Sequence, residues 1–202
     1  MPHATTPDTL GRVRTIQAIT VAWMTAEAGV SLFAAWWARS PVLVAFGGDS
    51  AIELASAVVV LWRFRSSEAS EHLERRAARI AGGLLFALAA GVIATSVMAL
   101  LGYSEAKPSL LGIGILIAAL VFMPLLAGEK RRLSGLTDSA ALRADAAQSA
   151  LCAYLSFIAL AGLAINAIWQ IKWADPVAAL AIIPFIVWEG REAMRGKACG
   201  CC

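Results

Sequence analysis

At 202 residues, with 59% hydrophobic and 15% charged residues and a mean hydropathy of +0.72, the chain carries more apolar surface than one small soluble core can hide. Its main solvent must be lipid, which excludes an ordinary water-soluble domain. The net charge of +3 is an excess of the kind that sets topology in a membrane protein, and a lipid-like composition argues against nucleic-acid binding.

In chain order, residues 1–12 (MPHATTPDTLGR) have no apolar core behind a basic start, so they are read as a cytoplasmic segment, and the first helix is expected to direct insertion. Apolar runs then predict helices at 13–38, 41–64, 78–102, 109–128, 139–170 and 174–190. A bilayer core of about 30 Å needs roughly 20 apolar residues per helix, and six such stretches with short loops are expected to leave little of the 202 residues for a second domain. Breakers at RSP, EAKPS and KWADP predict three short turns. Two longer polar stretches, RFRSSEASEHLERRAAR and GEKRRLSGLTDSA, predict the other connections; in the first, Glu71 stands four residues before Arg75, a spacing that can prolong the third helix. Residues 191–202 form a cysteine-rich tail ending in ACGCC.

Arg12, Arg14, Arg63, Arg65, Arg75, Arg76, Arg79, Lys130, Arg131, Arg132, Arg143, Arg191, Arg195 and Lys197 fall on one side of this topology, and only Arg39, Lys107 and Lys172 on the other. The positive-inside rule then places both termini in the cytoplasm. Trp36, Trp37, Trp169 and Trp173 fall at the predicted outer ends and Trp62 and Trp188 at the inner ends, where indoles prefer the interface, while Trp23 is expected to pack inside. The expectation is an all-α, integral membrane bundle of six transmembrane helices in the cytoplasmic (inner) membrane, residues 13–190.

An ionisable side chain at membrane depth costs at least about 2.5 kcal/mol, so each needs a partner or a purpose. Asp49 and Glu53, four apart, point from one face of the second helix. Asp145, Gln148, Ser149 and Cys152 line one face of the fifth, and Glu27 sits mid-way along the first. If these faces meet, three carboxylates surround one cavity. Their mutual repulsion in a low dielectric is resolved by a divalent metal ion, by sodium or by protons. Metal binding that expels protons supplies the elements of an antiporter. The candidate metal ligands are Asp49, Glu53, Asp145 and Ser149, with Glu27, Gln148 and Cys152 as further ligands or a proton relay. Gly47 and Gly48 suit close helix packing. Asp175 before Pro176 looks like the N-cap of the last helix. Cys199, Cys201 and Cys202 offer soft ligands for metals such as Zn, Cd or Cu(I), or sites of lipidation. No serine elbow, paired histidines or metalloprotease helix appears, so no enzymatic activity is expected.

The segment GGDSAIELASAVVVLWRFR resembles the second helix of the cation diffusion facilitator family, which carries one acid four residues before another. ADAAQSALC resembles that family's fifth helix and ADPVAALAI the opening of its sixth, and DSAIE, MPLLA, WADPVAAL and the cysteine-rich end suggest a short bacterial branch with the transmembrane domain only. The resemblance implies export of Zn, Cd or Co from the cytoplasm by proton antiport, with no bound cofactor beyond the transported ion, in a homodimer. The family's histidine on the fifth helix has no counterpart, which equally suits Mn or Fe(II). The cytoplasmic domain that commonly supports dimerisation is expected to be absent, leaving a dimer to transmembrane packing. A membrane metal sensor or accessory subunit without transport is the alternative.

Overall fold

The computed structural model describes residues 7–65, 71–137 and 140–195. Among these there are six helices and no strand: α1 (Pro7–Ala38), α2 (Pro41–Arg65), α3 (Glu71–Leu100), α4 (Leu110–Thr137), α5 (Ala140–Trp169) and α6 (Ala174–Met194). α1, α3, α4 and α5 contain stretches long and apolar enough to cross a membrane. Large apolar side chains cover the outside of the bundle as well as its core, which is built from residues such as Leu43, Phe46, Leu116, Leu163 and Ile182. Leu110 is 84% and Leu125 67% exposed, whereas Glu27 and Lys130 are wholly buried. An outside this apolar, with a few charged side chains held inside, is stable only in lipid, and the chain is a helical membrane protein.

Three polar side chains explain where helices begin. Ser40 accepts the Leu43 N–H at 3.3 Å with Pro41 in the first helical position of α2, and Ser109 accepts the Gly112 N–H at 3.0 Å at the start of α4. Asp175 does not cap α6, as its sequence position suggests. It accepts hydrogen bonds from the Ser40 hydroxyl at 2.5 Å and the Val42 N–H at 3.2 Å, and so completes the first turn of α2. Trp173 occupies the α6 cap position without a side-chain bond. The Lys107 N–H bonds the Ala38 carbonyl, and Asn166 Nδ2 bonds the Ala106 carbonyl. These contacts gather the three short turns at one end of the bundle, called here the turn end.

The predicted helices are all present, but the polar connections shrink. α3 begins at Glu71 and α4 runs on to Thr137, so GEKRRLSGL is helix rather than loop. From Met123 onward the buried positions of α4 are Met123, Leu126, Ala127, Lys130, Leu133 and Ser134, a stripe at helical spacing that continues through the charged run. α4 packs most closely on α5 and α3 on α6, while α2 lies against α1, α3, α5 and α6. Small residues permit these approaches. A Cβ on Gly47 would meet Ser31 Cβ at 2.9 Å, one on Gly82 the Gly190 carbonyl at 2.8 Å, and one on Gly162 Ala178 Cβ at 2.3 Å.

Candidate metal centre

The central position of α2 decides what its acids face. Asp49 and Glu53 stand eight and twelve residues below the start of the helix, about 12 and 18 Å from the turn end. Gly47 brings α1 against the helix, and Gly48 admits the Leu88 side chain of α3, where a Cβ would lie only 2.6 Å from Leu88 Cδ1. The two carboxylates meet a third from α6. Glu189 shares a face with the buried Ile182 and Ile186, and one oxygen each from Asp49, Glu53 and Glu189 lies within 4.8 Å of the others.

Asp49 is 3% exposed, and its Oδ1 has no hydrogen-bond partner. A buried carboxylate oxygen with no donor is costly, and here it faces two further carboxylates. Three acids so close in a poorly polarisable interior require a cation or shared protons. Gln148 on α5 donates its Nε2 to both Glu53 and Glu189. Turning that amide over would present Oε1 instead, a fourth hard oxygen for an ion.

The other predicted ligands are distributed differently. Asp145 and Ser149 do not join this group. Lys130 Nζ lies 2.9 Å from Asp145 Oδ1 and 2.9 Å from Ser149 Oγ, and Gln17 Nε2 donates to Asp145 Oδ2 at 2.7 Å. Glu27 forms a separate cluster. Its carboxylate accepts the Trp23 indole N–H at 2.6 Å, the Ser50 hydroxyl at 2.8 Å and the Cys152 thiol at 3.3 Å. Trp23, expected inside, is only half-buried against the core and stacks on the exposed Phe122 with ring centroids 4.6 Å apart. Cys199, Cys201 and Cys202 lie outside the described residues.

Sequence reasoning missed Glu189 and Lys130. Glu189 stands beside Trp188 and near Arg191, and reads as the polar end of a span; its spacing of seven and three from Ile182 and Ile186 was the available signal. Lys130 reads as one of several loop positives, although it falls three and four residues from Ala127 and Leu126, on the apolar stripe of α4.

The cation efflux transmembrane domain matches residues 18–196, nearly the whole chain. The chain belongs to the cation efflux family. It is also 27% identical over 156 residues to a protein of Synechocystis sp. described only as an uncharacterized transporter, a match covering 73% of this chain and 50% of that protein. The chain thus matches about half the length of this curated relative.

Proposed function

We propose that this protein exports divalent metal cations from the cytoplasm in exchange for protons. The observation that carries this is the cluster of Asp49, Glu53 and Glu189, with its unpartnered Asp49 oxygen, at the junction of α2 and α6 in a cation efflux domain. The donors are hard oxygens, suited to Mn, Fe(II), Co and Zn and serviceable for Cd. His3 and His72 are the chain's two histidines, and neither falls in a predicted span. An ion binding at the cluster displaces protons from it, and protons returning from outside expel the ion, which is the exchange an antiporter needs. Glu27 is the proton carrier in this scheme. It sits on α1, held by Ser50 of α2 and Cys152 of α5, so it joins both motif helices without belonging to the ion cluster.

The same proposal takes all six helices as spans of the inner membrane with both termini cytoplasmic. Ions then enter from the side opposite the turn end. Pairing of two copies through transmembrane helices and capture of soft metals by Cys199, Cys201 and Cys202 belong to it as well. The test is flux into liposomes of purified protein under a pH gradient, with a metal-sensitive dye and Zn, Cd, Co, Mn and Fe(II) compared. Asp49→Asn should abolish flux with the fold intact. Glu27→Gln should keep ion binding but lose the dependence of flux on the pH gradient. Tight binding with no flux of any ion would instead support a sensor or accessory subunit. Normal flux by Asp49→Asn would refute the site.

A further inference from the structure

Three successive turns of α5 carry polar contacts, and the one farthest from the turn end holds a cation that is part of the chain. Lys130 is wholly buried. Its ammonium donates to Asp145 Oδ1 and to Ser149 Oγ, both at 2.9 Å. Asp145 Oδ2 is taken by Gln17 Nε2 at 2.7 Å, so both oxygens of this carboxylate are engaged by side chains from α4 and α1. The adjoining α5 residue, Gln148, turns to Glu53 and Glu189 instead. The helix therefore faces two neighbouring sets of oxygens, one filled by an ammonium and one made of carboxylates with an orphaned oxygen.

A metal ion on Asp145 and Ser149 would stand at contact distance from the Lys130 ammonium, and two cations so close in a poorly polarisable interior repel strongly. A buried ammonium also does not leave its partner readily, because stranding it without a counter-ion carries a heavy desolvation cost. We propose that Lys130 is a tethered cation that withholds Asp145 and Ser149 from the transported ion, so that each chain binds one ion through the carboxylates of α2 and α6. Lys130 is thus a positioning residue that fixes where the ion sits and how many bind. This inference rests on the preceding reading of Asp49, Glu53 and Glu189 as the ion site.

The test is isothermal titration of the full chain in nanodiscs with Zn and with Mn, alongside a thermal melt to verify folding. Asp145→Asn retains an oxygen for Lys130, and its ion affinity should stay within about threefold of wild type. Lys130→Met frees the Asp145 carboxylate and should add a second equivalent of bound ion, at up to a hundredfold higher concentration. The double variant Lys130→Met/Asp145→Asn should return to one equivalent. A tenfold or greater loss of affinity in Asp145→Asn overturns the proposal, as does a single equivalent in folded Lys130→Met. If Lys130→Met does not fold, the uncharged double variant decides alone. One equivalent at wild-type affinity supports the proposal, and loss of binding overturns it. Asp49→Asn run in parallel separates the two levels of argument. If it binds normally, the α2–α6 site is what fails, whatever Lys130 does.

Discussion

Replacing Asp175 by alanine tests the way α6 completes α2. The carboxylate is wholly buried and accepts two bonds, from Ser40 Oγ at 2.5 Å and from the Val42 N–H at 3.2 Å. Truncation leaves the Val42 N–H in the first turn of α2 with no acceptor, at about 1–3 kcal/mol for an orphaned buried donor. The Ser40 hydroxyl still accepts from Leu43 N, so its loss is taken as about 1 kcal/mol, between the average of about 0.6 and the maximum of about 1.7 kcal/mol for side-chain bonds within membranes. The sum is about 2–4 kcal/mol. Asp175→Asn keeps an oxygen for Val42 and offers an amide to Ser40, and should cost about 1 kcal/mol. Equilibrium unfolding in mixed micelles with increasing SDS measures both, and a double-mutant cycle with Ser40→Ala isolates the pair, with an expected coupling of at least about 0.5 kcal/mol. An alanine cost below about 0.5 kcal/mol, or asparagine as damaging as alanine, would refute this role for Asp175.

Other expected outcomes follow from the same geometry. Glu189→Gln should lower ion affinity at least tenfold, about 1.4 kcal/mol, with little change in folding because the amide oxygen still accepts from Gln148; calorimetry on the folded protein measures it. Gly162→Ala should destabilise the α5–α6 contact by about 1–3 kcal/mol, and adding Ala178→Gly should recover most of it, whereas Gly114→Ala, with nothing within 4 Å of its Cβ, should be tolerated; SDS unfolding midpoints rank the three. Trp23→Phe preserves a ring to stack on Phe122 but removes the donor to Glu27, at about 1 kcal/mol in the same assay.

Much of the fold was legible because lipid imposes a simple code. Apolar runs and the breakers RSP, EAKPS and KWADP located all six helices, and the spacing of Asp49 and Glu53 put both on one face. The ends were harder. A charged run marks solvent only when all its residues point outward, and in α4 the helix continues through GEKRRL with Lys130 on the inner stripe. Periodicity within one helix also cannot say which helix lies opposite. Asp145 and Glu189 are each credible partners for Asp49 and Glu53 on spacing alone. The choice is made by tertiary packing, which seats α6 beside α2 at the carboxylates and brings Lys130 of α4 onto Asp145. The Asp175 contact illustrates the same limit. An Asp-Pro pair at a helix start signals a cap locally, but the nearer need was the unpaired N–H of Val42 on another helix.

The charges of α6 bear on how the bundle is assembled. Within 21 residues this helix carries Asp175, Glu189, Arg191 and Glu192, and it is not among the four segments apolar enough to cross a membrane unaided. Its charges lie toward the two ends of the helix, with an uncharged stretch at 176–188 between them, so the ends are what need partners as the helix enters the bilayer. It is also the last of the six to leave the ribosome. By then α2, α3 and α5 are in place, offering Val42 and Ser40 for Asp175, Gln148 for Glu189 and Gly82 for close approach at Gly190. The first five helices thus act as the solvent that admits the sixth. Without α6 the Val42 N–H in the first turn of α2 has no acceptor and Asp49 and Glu53 lack Glu189, so one helix completes both a structural cap and the carboxylate cluster.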